Sequence, residues 1–176
     1  MMNCDQVCEA MTGIKGWEYV HSFAVGGFEY LGFVKSDTSK LLIVSGQKNT
    51  IFDCEDKSIT EVDAVVDEKS FEVICDMFPN EYISIAGSYG GSITKETPQG
   101  DGVEITLHDP HVISGKELNL QQIDFIDAWG NRTKIFDSYP SYVCGFSHDG
   151  RYFALADDSG IYLMKRERKY EPYRDK

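Results

Sequence analysis

The chain contains no run of about 20 apolar residues, which a membrane-spanning helix would require. Its first residues include neither a basic segment nor an apolar one, so we expect no secretory signal and a cytoplasmic location. Only five cysteines occur in 176 residues, an odd number without a regular spacing. A fold held by disulfides is therefore not expected, and a reducing compartment is favoured.

Basic residues are also scarce. Lys and Arg together number 17 against 29 Asp and Glu, which gives a formal net charge of −12 and a pI of about 4.7. Nucleic acids and anionic membranes attract Lys/Arg surfaces, so we expect neither as a partner. Acidity favours a basic protein partner and fast electrostatic encounter, although it can also serve solubility alone.

Familiar catalytic motifs are missing. The glycines of 87–91 have neither the spacing nor the Lys-Ser/Thr of a phosphate-binding loop. Cys144 and His148 could in principle form a nucleophile and base, but the apolar neighbours of Cys144 favour a buried structural thiol. We therefore predict no catalytic residue.

The densest group of potential metal ligands is the His-Asp-Pro-His segment 108–111. Its proline predicts a loop, and a metal would need further ligands such as Asp101 or Glu104. We predict no metal and no cofactor. A metal-dependent hydrolase that uses His108 and His111 is the third functional hypothesis.

What the chain does have is a concentration of negative charge between residues 53 and 81. Ten carboxylates face two lysines there, so 29 residues carry −8 of the −12. The last twelve residues lean the other way, with six Lys/Arg against three acids. This asymmetry favours a charged partner, and pairing of the acidic block with the basic tail of the same molecule is the alternative.

Two short helices are predicted, over 3–12 and 67–78. In the first, Asn3 and Gln6 form a capping-box pattern, and Gly13 marks the end. In the second, the apolar residues recur with helical spacing, at Phe71, Ile74, Cys75 and Phe78. The second helix would carry an acidic row on another face, formed by Glu68, Glu72 and Asp76.

The rest of the chain alternates with period two or forms short apolar runs between Gly- and Asp-rich turns, a pattern typical of strands. Strands are predicted over 17–25, 28–34, 40–45, 50–53, 82–86, 92–96, 103–108, 118–122, 124–129, 133–136, 142–146, 152–156 and 161–165. The fold predicted is mainly β with a minor α part: an antiparallel meander, propeller-like or a sandwich. It forms one domain over 1–165, followed by a polar tail over 166–176 that we expect to fray.

Two segments, 32–53 and 145–164, resemble each other. Each begins with Gly-Phe, continues into an apolar strand, and then turns into a second strand. The Phe-Ser-His-Asp-Gly sequence of 146–150 resembles the turn before an inner strand of a WD40-type propeller blade, although the Gly-His and Trp-Asp dipeptides of that family are missing. The resemblance implies propeller-like hairpins and a binding scaffold.

In size, acidity and lack of catalytic motifs the chain resembles the small cytosolic immunity proteins of bacterial toxin systems, many of which neutralise basic nuclease toxins. The resemblance implies that an acidic surface binds and blocks a basic groove, with aromatic residues as anchors. The predicted partner-binding residues are Asp56, Asp63, Asp67, Glu68, Glu72, Asp76, Tyr89 and Trp129. A propeller-like scaffold or sensor that binds a peptide or small ligand is the second hypothesis, and the sequence leaves the oligomeric state open.

Overall fold

The computed structural model describes residues 1–139, 142–158 and 160–170. Within these ranges the chain forms one α-helix, one short 3-10 helix and sixteen strands, so the prediction of a mainly β fold is confirmed. The helices are α1 (Cys4–Thr12) and η1 (Arg168–Tyr170). The strands are β1 (Trp17–Phe23), β2 (Phe28–Phe33), β3 (Lys40–Ser45), β4 (Asn49–Asp53), β5 (Ile59–Val62), β6 (Ala64–Asp67), β7 (Glu72–Cys75), β8 (Phe78–Ser84), β9 (Ala86–Gly87), β10 (Gly90–Gly91), β11 (Gly102–Ile113), β12 (Lys116–Ile126), β13 (Arg132–Ser138), β14 (Val143–Phe146), β15 (Tyr152–Asp157) and β16 (Gly160–Arg166).

These strands form four antiparallel sheets. Sheet 1 has the order β1-β16-β15-β14, and sheet 2 has the order β10-β9-β2-β3-β4-β5. Sheet 3 is β6-β7-β8, and sheet 4 is β11-β12-β13. Most neighbours within a sheet are consecutive in the chain, as in a meander, but sheet 1 joins the first strand to the last three.

The sheets are stacked in layers, with a buried core between each pair. The first core joins α1 and sheet 4 to one face of sheet 1. The second core lies between the other face of sheet 1 and sheet 2, and the third lies between sheet 2 and sheet 3. Sheets 1 and 2 are therefore covered on both faces, whereas sheet 3 forms one end of the stack.

This layering explains the continuous apolar runs of the inner strands. In β3, Leu41 and Ile43 face the second core, whereas Leu42 and Val44 face the third. In β15 the same alternation divides residues between the first and second cores. A strand that is buried on both faces needs apolar residues at every position, because successive side chains point to opposite sides.

The predicted helix at the start of the chain is confirmed. Asn3 caps it: its side chain accepts the Gln6 backbone N–H, and the Gln6 side chain accepts the Asn3 N–H, both at 3.0 Å. Val7 and Met11 lie on one side of the helix and are buried in the first core. The cap and the apolar stripe fix both the start and the orientation of α1.

The helix predicted over 67–78 is wrong. That segment contains the end of β6, a turn, β7 and the start of β8. Phe71 has a φ of 53°, in the left-handed region that a right-handed helix excludes. Val73 and Cys75 face the third core with the period of a strand. The helical spacing of the apolar residues was misleading because in so short a segment the two periods share several positions.

Two local predictions also need correction. The segment 108–111 belongs to strand β11 and is not a loop. Pro110 is tolerated there because β11 is an edge strand and its register shifts between Leu107 and Pro110. The strand predicted over 92–96 is absent from the described structure, where Thr94 and Glu96 form only isolated bridges.

The two similar segments, 32–53 and 145–164, lie in equivalent three-stranded meanders, β2–β4 in sheet 2 and β14–β16 in sheet 1. Their leading glycines allow a neighbouring segment to approach closely. A Cβ atom on Gly32 would lie 2.2 Å from the Ser84 carbonyl oxygen, and one on Gly145 would lie 2.3 Å from Cγ1 of Ile93. The shared Gly-Phe thus has a packing role at both positions.

The C-terminal segment is partly built into the fold. Arg166, which was expected in the polar tail, is the last residue of β16 and is buried. The turn of η1 follows, and residues 171–176 lie outside the described residues. None of the helices in the described ranges is long and apolar enough to cross a membrane.

Candidate partner-binding surface

Four of the ten carboxylates between residues 53 and 81 have partners outside this segment of the chain. Asp53 forms an ion pair with Lys40. Glu81 accepts the backbone N–H of Lys35 and of Ser36. Burial alone would raise the pKa of Glu81, but these hydrogen bonds outweigh it and lower that pKa. The other two carboxylates of this kind are Glu55 and Glu61. Oε2 of Glu61 lies 3.8 Å from Nζ of Lys48, a long ion pair at the surface.

Glu55 is the centre of an ion cluster that links sheets 1 and 2. Its carboxylate lies 3.1 Å from Nη2 of Arg151 and 2.6 Å from Nζ of Lys165, and it accepts the Tyr152 hydroxyl. The basic end of the chain therefore does neutralise part of the acidic block, through Lys165. Pairing between the acidic block and the basic end of the same chain, the alternative to a charged partner, therefore occurs at Glu55.

The remaining six carboxylates are the six predicted from the sequence. Across the described residues, no ion pair joins any of them to a lysine or arginine. Glu72 is half-buried and the other five are exposed: Asp56, Asp63, Asp67, Glu68 and Asp76.

The hairpin β6–β7 gathers five of these carboxylates at its two ends. Asp67 and Glu72 are directly opposite in the register, and Glu68 follows in the turn. At the other end, the Asp63 N–H donates to Oδ1 of Asp76 at 3.2 Å, and the Asp76 N–H donates to the Asp63 carbonyl at 3.0 Å. The helical row of Glu68, Glu72 and Asp76 is therefore replaced by two acidic groups, roughly 13 Å apart along the strand at ~3.3 Å per residue.

Two of the aspartates also shape the turns in which they lie. Oδ1 of Asp67 accepts the Lys69 N–H at 2.9 Å, and this hydrogen bond lowers the pKa of Asp67. Oδ1 of Asp56 accepts the Ser58 N–H at 2.8 Å in the turn between β4 and β5. Asp56 lies on a different hairpin from the other five.

An apolar row lies between the two acidic groups, on the outer side of sheet 3. Val65 is 70% exposed and Tyr82 is 68% exposed, while Ile74 is half-buried and directly opposite Val65. Their chain neighbours Val73 and Ile83 face the third core. Since strand residues alternate between faces, the row points away from the stack.

We call this surface the acidic face: it comprises Val65, Ile74 and Tyr82 with Asp63, Asp67, Glu68, Glu72 and Asp76. The three apolar members were not predicted from the sequence. The period-two alternation of 72–75 was the signal that could have found Ile74, but the predicted helix placed Ile74 on one side with Phe71 and Cys75.

The two predicted aromatic contacts lie in different places. Tyr89 is 77% exposed in the turn between β9 and β10, and its ring lies 6.3 Å from that of Tyr30, which in turn contacts Phe71. Because Phe71 belongs to the β6–β7 turn, Tyr89 adjoins one end of the acidic face. Trp129 is half exposed between β12 and β13, under the Lys15 ammonium, in the sheet at the far end of the stack. The structure therefore does not bring Trp129 to the acidic face.

The remaining chemistry is limited. Within the part of the chain that the structure describes, no group of three or more His, Cys, Asp or Glu could hold a metal ion. Cys144 is fully buried, and burial raises its pKa, as expected for a structural thiol. The cysteines of the chain are free thiols.

The fold and this surface define a class: a layered antiparallel β protein whose terminal sheet presents an apolar row between acidic groups. Comparison with known proteins found no family model that matches the chain and no curated protein with significant sequence similarity.

Proposed function

We propose that this chain is a cytoplasmic immunity-type protein that binds a basic, nuclease-type toxin through the acidic face. The observation that carries the proposal is the position of the outward-facing apolar row between two groups of carboxylates that form no ion pair within the described residues. Protein interfaces commonly have an apolar centre and a polar rim, and large aromatic side chains at the centre contribute most of the affinity.

The proposed mechanism is physical obstruction. Nuclease grooves are lined by Lys and Arg that contact phosphate, so carboxylates on a rigid hairpin can replace the phosphates as partners. Attraction between the acidic face and the basic groove accelerates association of the two proteins, and the apolar row then slows their dissociation. Tyr82, the largest member of the row, is the expected anchor, with Tyr89 at the margin.

The first experiment identifies the partner and then measures kinetics. The tagged chain is used to capture proteins from its host at low salt and at about 0.5 M salt, where surface electrostatics are strongly screened. We expect one basic protein that is held at low salt and loosened at high salt. Its association and dissociation rates are then measured with purified variants.

Two variants separate the roles of charge and apolar contact. Double reversal, Asp67→Lys with Glu72→Lys, should reduce the association rate and its salt dependence, whereas Tyr82→Ala should mainly accelerate dissociation. The matched control reverses two exposed carboxylates on other layers, Asp5→Lys with Glu117→Lys. Equal affinity of all variants for the basic protein, with folding intact by circular dichroism, would contradict the proposal.

A further inference from the structure

A pocket of about 260 Å³ lies where sheets 1, 2 and 4 meet. One wall is formed by the segment from Ala86 to Lys95, and the opposite wall by residues of β11, β12 and β14. The pocket is separate from the acidic face, which lies on the outer side of sheet 3. It is smaller than the pockets that hold drug-sized ligands.

The charge of this pocket is opposite to that of the whole chain. Among the residues that the structure describes, Lys95 is the one charged residue in its lining, and no Asp or Glu lines it. No ion pair in the described ranges involves Lys95. In a protein with 29 acidic residues, a half-buried lysine without a carboxylate partner is unusual. The charge that lines the pocket is therefore a single cation, which would attract an anion.

The structure holds the Lys95 ammonium in place. Nζ donates to the backbone carbonyl of Cys144 and lies 3.6 Å from its Sγ. An ammonium has three N–H donors, so one remains for a ligand after the contacts with the carbonyl and the thiol of Cys144 are made. The anchoring reduces the conformational entropy that Lys95 would lose on binding.

The other polar groups of the pocket supply further donors. The Tyr142 hydroxyl donates to Oε1 of Gln121 at 2.6 Å, which occupies the amide oxygen and leaves the NH₂ group as a donor. The hydroxyls of Ser88 and Ser92 line the same pocket. Aliphatic side chains complete the walls: Ile93, Ile105 and Val143.

We propose that this pocket binds a short-chain monocarboxylate, with Lys95 as the counter-ion of the carboxylate. One cation matches one negative charge, the amide and hydroxyl donors match the carboxylate oxygens, and the aliphatic walls match a short hydrocarbon chain. The site is independent of the proposed toxin binding.

Butyrate is the probe for this site, and the uncharged butyramide is its matched control. The full chain, labelled with ¹⁵N, is titrated with each compound at constant ionic strength, and backbone amide signals are followed by NMR. Butyrate should shift the signals of Gly87, Gly91 and Ser92 saturably and leave Gly115, at the distant β11–β12 turn, unchanged. Butyramide should bind at least tenfold more weakly.

Variants test the role assigned to Lys95. Lys95→Met keeps the aliphatic stem and should weaken butyrate binding at least tenfold, whereas Lys116→Met, at an exposed lysine, should leave it unchanged. Equal binding of butyrate and butyramide, tighter binding of inorganic phosphate than of butyrate, or an unchanged Kd in a folded Lys95→Met protein would each overturn the proposal. The butyramide comparison uses the unmodified chain, so it decides the question even if Lys95→Met does not fold.

Discussion

Arg166 and Asp101, which are 65 residues apart in the chain, form an ion pair in which both side chains are buried. The Asp101 carboxylate also accepts the Trp17 indole N–H at 2.9 Å and the Ala128 N–H at 3.1 Å. The guanidinium lies over the Trp17 ring, 4.7 Å from its centroid. One carboxylate thus joins the first strand, the last strand and the turn after β12.

Removing the cation from this pair should strongly destabilise the fold. Arg166→Met leaves Asp101 buried without its counter-ion, and we expect a loss of about 3–5 kcal/mol in the free energy of unfolding, measured with urea. Arg168→Met, at an exposed arginine two residues later, is the control and should have little effect. Adding Asp101→Asn to Arg166→Met should recover part of the loss, because the unpaired charge is then absent. A loss below about 1 kcal/mol in the single variant would contradict this account.

The Glu55 cluster predicts a dependence of stability on pH. Burial alone would raise the pKa of Glu55, but hydrogen bonds from Lys165 and Tyr152 and the charge of Arg151 outweigh it and lower that pKa. A lowered pKa in the folded state stabilises the fold above the pKa of the unfolded chain, and this contribution is lost as pH falls through the folded-state value. We therefore expect the free energy of unfolding to decrease below about pH 4.5.

The variant Glu55→Gln tests this assignment by urea unfolding between pH 7 and pH 3. It should lower stability at neutral pH and make the decrease towards acid shallower. Part of the decrease should remain, because the pKa values of Asp53, Glu81 and Asp137 are also lowered in the fold. Glu117→Gln is the control, and an equal slope in both variants would refute the role of Glu55.

Gly32 and Gly145 each lie so close to a neighbouring segment that we expect neither position to tolerate a methyl group. Gly32→Ala and Gly145→Ala should each destabilise the fold by about 1–3 kcal/mol or more, because overpacking displaces neighbouring atoms. Gly102→Ala is the control, since a Cβ there meets its nearest atoms at an ordinary 3.6 Å. Thermal unfolding of the three variants gives the comparison, and equal melting temperatures would show that the hairpins can shift.

The like charges of Asp67 and Glu72 predict a conflict between stability and binding. Directly opposed carboxylates on neighbouring strands repel each other, so Glu72→Lys should raise the melting temperature by about 1–3 °C. Glu117→Lys changes the charge equally but lies opposite Val112 and should have no such effect. If the acidic face binds a basic partner, the more stable Glu72→Lys protein should bind it less well. Gains of equal size in both variants would point to net charge alone.

The inner strands could be predicted from the sequence because burial on both faces leaves an unbroken apolar signal. The strand over 40–45 matches β3 at both ends, and α1 was found from its cap. The prediction for 67–78 is wrong because β7 is held as a strand by pairing with β6 and β8, and the spacing of the apolar residues does not record that pairing.

The candidate surface was predictable only in part. Composition identified the acidic block, but which carboxylates are neutralised depends on contacts with Lys40 and Lys165, the second of which is 110 residues from Glu55. Arg166 was assigned to a fraying tail because its neighbours are polar, and its buried partner lies in a distant turn. The apolar members of the acidic face come from three strands, β6, β7 and β8, and the strand pairing brings them side by side.

The pairing of β1 with β16 has a consequence for biosynthesis. Trp17 is in register with Arg166, so β1 leaves the ribosome long before the strand with which it pairs. At about 5–20 residues per second, this interval lasts roughly 7–30 s, during which the apolar side of β1 has no sheet to join. The hairpins of sheets 2 and 3 can form meanwhile from local contacts. Nascent chains that are stalled before β16 should therefore be the form of this protein that chaperones hold longest.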